Sequence, residues 1–408
     1  MLFMTTQNNE NFFGLGIAPG LLEVIEKLKF TVPTPIQQKA IPLAVEGKDV
    51  IGIAQTGTGK TLAFGIPMIQ RLAQMPGKGL VVVPTRELAM QVNETLVKLA
   101  PTFKMKTAVL IGGQSMVPQL ASLRNNPTII VATPGRLIDH MERKTVKLND
   151  VKVLVLDEAD RMLDMGFLPQ INQILRQVPK ERQTMLFSAT MPSDIVRIAS
   201  AHMKLPVRTE IAPQGTMAEN VSQEIFVVKP EMKIQILNEI LKQYHGSVLL
   251  FTRTKRGASK VTRSLRTANH SAAEIHSDRS MGQRKEALDG FKSGRYRVLV
   301  ATDIAARGID VSGIELVINF DLPDEAGNYV HRIGRTGRAG LKGHAISIAT
   351  PDQGSDVRGI EQIIKKVIPL SAHPKIQTEK FNSSLNSKAT MLFSSSKIYG
   401  RARKRTWK

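Results

Sequence analysis

The chain has 408 residues, 56 lysines and arginines against 35 acids, a formal charge of +21 and no cysteine. Without cysteine there are no disulfides, thiolate metal sites or cysteine nucleophiles, which fits a reducing interior. The positive surplus attracts polyanions, nucleic acid first, although a merely basic, soluble surface would carry the same charge.

Apolar residues make up 42% of the chain, enough for two globular domains. No apolar run approaches bilayer length, so no membrane partner is expected. The start, MLFMTTQNNE, lacks a charged segment followed by an apolar one. No export signal is read there, a cytoplasmic protein is expected, and Met4 is an alternative start.

In chain order, KDVIGIA, GLVVVPT, TAVLIGG, TIIVATP, VKVLVLD and QTMLFSAT read as buried parallel strands. Helical patterns such as TLAFGIPMIQRLA and RELAMQVNETLVKLA lie between them, with Thr85 placed to cap the second. This alternation predicts an α/β fold with a mainly parallel sheet covered on both faces. A polar stretch with Gly and Pro over 207–220 reads as a linker. Alternation resumes with QEIFVVK, SVLLFTRT, AAEIHS, YRVLVAT, ELVINFD and GHAISIAT. The expected domains are therefore 1–206 and 221–372. The remainder, 373–408, reads as a disordered basic tail ending in YGRARKRTWK.

AQTGTGKT (Ala54–Thr61) follows a predicted strand and opens a predicted helix, the context of a phosphate-binding loop. Gly57 and Gly59 allow a tight turn that points successive N–H groups at an anion. Gln55, Thr56 and Thr58 complete the loop, Lys60 is placed for the β- and γ-phosphates, and Thr61 for Mg²⁺. Asp157-Glu158-Ala159-Asp160 ends another strand, where ligands of open α/β sheets sit. Asp157 suits a Mg²⁺ ligand, directly or through water, and Glu158 a base for the attacking water.

These motifs and their order resemble the DEAD-box ATP-dependent RNA helicases of superfamily 2, from about Phe12 to about Ile368. Short length and loop texture are most similar to the bacterial RhlE-type members. The resemblance implies two tandem RecA-like domains, ATP and Mg²⁺ as cofactors, and RNA as partner. It implies that Phe30, Thr34 and Gln37 read adenine, with Phe12 as a distant aromatic. A Gln amide both donates and accepts, which suits the adenine N6/N7 edge. Lys29 stands where the family usually has Gly, and Ala54 where the general phosphate-loop motif has its first Gly.

The resemblance further assigns RNA-backbone contacts to Pro84, Thr85, Arg86, Gly113, Thr133, Pro134, Gly135 and Arg136 in the first half. In the second half it assigns them to Arg253, Arg284 and Thr302. Such loops grip phosphates with backbone N–H groups and helix N-termini, though any one of them also reads as an ordinary βα loop. Asp160, Ser188, Thr190 and His331 are implied to couple the domains, although Ser188 or Thr190 could simply cap a helix. Arg335 and Arg338 would reach the phosphates from the second domain, and Gly308 and Asp310 would meet the nucleotide there. Ser277 replaces the family's usual Gly, and Met281 its usual Gln.

The expected cycle is closure of both domains on ATP and single-stranded RNA, local strand separation, then reopening after hydrolysis. Two rivals stay open: a DNA-acting translocase, and an ATP-gated clamp or annealing protein without net unwinding. A monomeric core is expected, with ribosomal or mRNA-decay ribonucleoproteins as further partners. The tail reads either as an RNA tether or as solvated charge.

Overall fold

Runs rich in Val, Ile and Leu with no polar alternation suit strands buried on both faces, and the chain folds accordingly. The computed structural model describes residues 11–55, 57–211, 221–306, 314–337 and 342–382. The first half contributes β1 (Val50–Ile53), β2 (Lys78–Val82), β3 (Thr107–Leu110), β4 (Ile129–Ala132), β5 (Val151–Leu156), β6 (Gln183–Ser188) and β7 (Val207–Glu210). The second contributes β8 (Val221–Val227), β9 (Val248–Phe251), β10 (Ala272–Ile275), β11 (Val298–Ala301), β12 (Leu316–Asn319), β13 (Gly343–Ala349) and β14 (Leu370–Ser371).

These strands form two seven-stranded sheets, ordered β3-β4-β2-β5-β6-β1-β7 and β10-β11-β9-β12-β13-β8-β14. The strand pairs are parallel, for example Ile51 with Leu186 and Leu249 with Val317. Helices cover both faces of each sheet, the layering of tandem RecA-like domains. In the first domain, Phe64 and Phe187 pack with ring centroids 5.5 Å apart within one apolar cluster. A second cluster, including Leu80, Leu154 and Ile174, lies in the same domain.

The order β5-β6-β1 matters most for function. Parallel strands end on the same edge, so the segments after β1, β6 and β5 stand side by side there. Those segments are AQTGTGKT, SAT and DEAD.

The linker expected from residue 207 begins later, because Val207–Glu210 pairs with β1 as the edge strand of the first sheet. The tail expected from 373 also starts late. His373 and Ile376 are buried and bridged, and Phe381 packs on the second-domain core. Residues 212–220 and 383–408 lie outside the described residues. Among the described residues, no helix is long and apolar enough to cross a membrane.

Candidate active site and nucleic-acid face

The segment after β1 turns sharply into the helix Lys60–Gln74. Gly57 and Gly59 take φ values of 85° and 86°, a left-handed backbone that favours glycine. Thr58 Oγ1 donates to the Gln55 carbonyl at 2.7 Å, and Lys60 Nζ donates to the Ala54 carbonyl at 2.9 Å. The loop is therefore a concave anion cradle at a helix N-terminus, with a buried cation at its base. Thr56 lies outside the described residues.

The segment Thr34–Gln37 is tied to this cradle. Thr34 N donates to Gln37 Oε1 at 2.8 Å, and Gln37 Nε2 donates to the Gly59 carbonyl at 3.0 Å. A Cβ on Gly59 would strike that amide. Phe30 is half exposed nearby in sequence and free to meet a flat ligand. Phe12 differs from expectation. It is 4% exposed and packed in the first-domain core, whereas its neighbour Phe13 is 65% exposed. The Phe12 ring contributes to packing and does not stand clear for a base. Lys29 adopts φ 62°, the left-handed conformation for which the family's usual glycine is suited.

Past β5, Asp157, Glu158 and Asp160 are all buried. Glu158 has φ 51°, a strained conformation for a non-glycine residue at the turn into the helix Ala159–Asp164. Burial pushes the Asp157 carboxyl up to about 6, although Lys60 opposes it and Glu158 and Asp160 assist. Burial would also raise Glu158, but Arg161, Lys60 and Arg335 outweigh it and hold that carboxyl down at about 2. Arg161 forms a buried ion pair with Glu158. Sequence reasoning missed Arg161. Its position, three residues after Glu158 on one helix face, was the available signal.

Asp160 fastens the segment after β6. Its Oδ2 accepts from Ala189 N at 3.1 Å, Thr190 N at 2.8 Å and Thr190 Oγ1 at 2.9 Å. Asp160 N donates to Ser188 Oγ at 3.1 Å. The Ser188 and Thr190 hydroxyls thus meet the acidic cluster within the first domain.

Arg335 and His331 of the second domain line one cavity with Lys60, Glu158, Asp160 and Arg161 of the first. Both sequence halves of the expected site meet there. Arg338, Gly308 and Asp310 lie outside the described residues. Arg332, which had no expected role, is buried and pairs with Asp303 through Nε at 2.6 Å and Nη2 at 2.7 Å. It also donates to Asn319 Oδ1 at 3.1 Å and the Asp321 carbonyl at 2.6 Å, so it ties the segment after β11 to the helix carrying His331.

The three expected RNA loops of the first domain hold one another. Thr85 caps the helix Arg86–Leu99 by accepting from Leu88 N at 3.3 Å. Gly113 has φ 71°, and a Cβ there would overlap the Arg86 guanidinium. Arg136 donates to the Gln114 carbonyl at 3.1 and 3.2 Å. Thr133, Pro134 and Gly135 open the helix that carries Arg136, and Pro84 precedes the Thr85 cap.

In the second domain, Arg253 is exposed after β9 and pairs with Asp324 at 2.9 Å. Thr302 follows β11, its N–H on the Ile275 carbonyl at 3.4 Å. Arg284 departs from its expected place on the RNA backbone. It is buried and paired with Glu87 of the first domain at 2.9 Å, so its charge is already spent between the domains.

Residues 34–198 match the DEAD/DEAH box helicase family, and residues 232–340 match the helicase conserved C-terminal domain. The chain is 44% identical over 368 residues to the DEAD-box ATP-dependent RNA helicase CshA of Bacillus subtilis, covering 90% of this chain and 74% of that one. It superposes on S. cerevisiae Dbp5 bound to RNA and ADP BeF3 with a TM-score of 0.80 at 31% identity, covering 89% of this chain and 95% of the other. A DEAD box protein from Methanococcus jannaschii gives 0.53 at 37% identity, covering 89% and 99%.

Proposed function

The chain belongs to the DEAD-box ATP-dependent RNA helicases, and we propose that it hydrolyses ATP when its two domains close around the backbone of RNA. Closure then separates short duplexes locally or remodels RNA–protein complexes. The observation that carries this reading is the cavity shared by Lys60 and Glu158 of one domain and His331 and Arg335 of the other. A site divided between two domains works only when they meet. Better superposition on the RNA-bound Dbp5 structure than on the more identical archaeal chain supports a closed placement. Two shared folds superpose less well as a pair when their relative placement differs.

In this reading the glycine turn and Lys60 hold the triphosphate, and Gln37 and Phe30 take the adenine. The residues present also fit Mg²⁺. Thr61 and Asp157 offer oxygen donors beside the phosphate cradle. Among the described residues no group of three His, Cys, Asp or Glu could hold the ion alone, so phosphates and water would complete its shell. Bound there, Mg²⁺ would offset phosphate charge as the terminal phosphoryl group leaves. Glu158, ionised and oriented by Arg161, takes the proton of the attacking water. Arg335, with Arg338 as its expected companion, stabilises charge from across the gap. Asp160, Ser188, Thr190 and His331 connect this chemistry to domain placement. The loops around Arg86, Gly113 and Arg136, with Arg253 and Thr302, grip phosphates without reading bases.

A cytoplasmic setting, a monomeric core and ribosomal or mRNA-decay ribonucleoproteins as targets complete the proposal. Short length and loop texture support a bacterial RhlE-type member as the finer assignment within the family.

The deciding experiment is Arg335→Ala. RNA-stimulated ATPase should fall on the order of a thousandfold, while ATP affinity changes little. Wild-type turnover would sink the two-domain site. Strand release from a short duplex separates a helicase from a clamp, and stimulation by RNA against DNA separates it from a DNA translocase.

A further inference from the structure

The helix Lys255–Thr267 carries a row of cations that the ATP site does not use. Its sequence, KRGASKVTRSLRT, turns Ala258, Val261 and Leu265 inward and leaves Arg256, Lys260 and Arg263 exposed. At spacings of four and three these residues share one helix face over about 10 Å.

The local carboxylates are already engaged. Asp278 pairs with Lys255 at 2.8 Å, and buried Glu274 pairs with Arg279. Among the described residues, Arg256, Lys260 and Arg263 have no ion-pair partner, and each is exposed. Three such charges in line raise the local positive potential, and nothing in the packing of this helix requires them.

Two clefts flank the row and share Ser259 and Arg263. The first is also lined by Arg256, Lys260 and His276. His276 is buried, with Nε2 near Ser259 Oγ at 3.2 Å and Glu274 Oε2 at 3.3 Å, while its Nδ1 has no hydrogen-bond partner.

The helix starts directly after β9 and Arg253, on the strand-end edge assigned above to RNA. From there the helix returns along the sheet to the start of β10, so the row leads away from that edge. We propose that it is a track for the sugar-phosphate backbone of RNA extending beyond the segment held between the domains. The track offers cations and the hydroxyls of Ser259 and Thr267, and its helix contains no aromatic residue. It therefore grips backbone without stacking bases. The proposal rests on the RNA helicase reading. The rival occupant is an acidic segment of another protein.

The test is the double variant Lys260→Glu and Arg263→Glu in the full chain, beside a matched reversal of two exposed cations, Arg358→Glu in and Lys366→Glu just past the helix Gly354–Ile364, which packs in the other core cluster of the same domain. RNA of about ten nucleotides, enough for the core alone, is compared with the same RNA extended by a single-stranded tail or by a hairpin. For the extended RNAs the track variant should lose about tenfold in affinity, with a log–log salt slope shallower by about 1 to 2. Affinity and ATPase on the short RNA should stay within twofold. Loss only with the tail, or only with the hairpin, supports the track and identifies which form it takes. Equal loss on short and extended RNA, equal loss in the matched control, or no loss at all overturns it. A wild-type ATPase that ignores RNA altogether would instead overturn the helicase reading.

Discussion

Arg284 and Glu87 form an ion pair across the two domains, Nη2 to Oε1 2.9 Å, with side chains 9% and 6% exposed. Burial lowers the pKa of Arg284, which Glu87 opposes and Arg86 reinforces. Glu87 sits one residue after Arg86 in the PTRELA segment, so the pair joins a loop of the first domain that we propose grips RNA to the second domain. Removing one partner leaves a buried, uncompensated charge, which costs about 3 kcal/mol. Glu87→Ala should therefore weaken RNA binding in the presence of a non-hydrolysable ATP analogue by roughly a hundredfold. Nucleotide affinity without RNA should barely change. Glu87→Leu combined with Arg284→Leu should recover much of the loss, because an apolar pair carries no desolvated charge. A single variant that binds RNA like the wild type would remove this pair from the closure mechanism.

The Asp157 carboxyl, raised by burial to about 6 against an ordinary 3.8, sets a pH dependence for the nucleotide-free protein. The folded state holds this proton more tightly than the unfolded state. Its stabilising contribution is therefore fully present below about pH 3.8 and is lost as pH rises through about 6. Asp157→Asn removes the buried charge and should stabilise the free protein at pH 7.5 by about 2–3 kcal/mol, or roughly 5 °C in Tm. At pH 4 the two proteins should melt alike. Thermal scans without nucleotide or Mg²⁺ check this, and an Asn variant that melts lower at pH 7.5 would contradict it.

Much of the fold was legible because most strands are buried on both faces, and an apolar run between turns announces them. The strands that were missed are β7 and β14, which end their sheets. Val207–Glu210 reads VRTE, with Arg208 exposed, and a half-solvated edge strand resembles a linker. Within the candidate site, the placement of Lys60, Asp157 and Glu158 beyond the ends of β1 and β5 was legible from local motif and context. Arg161, Arg332 and the partner of Arg284 were not, because their roles depend on which group lies opposite in space. Phe12 and Phe13 are adjacent aromatics, and composition cannot say which one turns inward. Lys29 was legible only as a departure; its positive φ now explains why glycine would suit the position.

Arg161 should be more than a stabiliser of the DEAD turn. Glu158 is held at about 2, well below an ordinary 4.5, so its stabilising contribution is present above about pH 4.5 and disappears as pH falls through about 2. Arg161→Met removes the principal opposing charge and leaves burial to raise the carboxyl. The protein should lose about 3 kcal/mol at neutral pH and unfold at a higher pH in acid. The acid limb of the ATPase profile should move upward with it. A merely structural Arg161 would lower Tm and leave that limb in place.

Gln37 bonds the Thr34–Gln37 segment, which we propose reads adenine, to the phosphate loop, accepting from Thr34 N at 2.8 Å and donating to the Gly59 carbonyl at 3.0 Å. The amide still has a second proton and a second lone pair, so it can present both to a base while keeping these bonds. Gln37→Glu preserves size and the bond from Thr34, but a carboxylate cannot donate to Gly59. The orphaned carbonyl costs about 1–2 kcal/mol, and the new charge faces incoming phosphates. ATP affinity should fall at least roughly tenfold. The preference for ATP over GTP should shrink as well, because the amide's paired donor and acceptor are lost. Equilibrium binding of both nucleotides measures the two effects together. If affinity fell while the ATP-to-GTP ratio held, Gln37 would be a fastener of Gly59 and not a reader of the base.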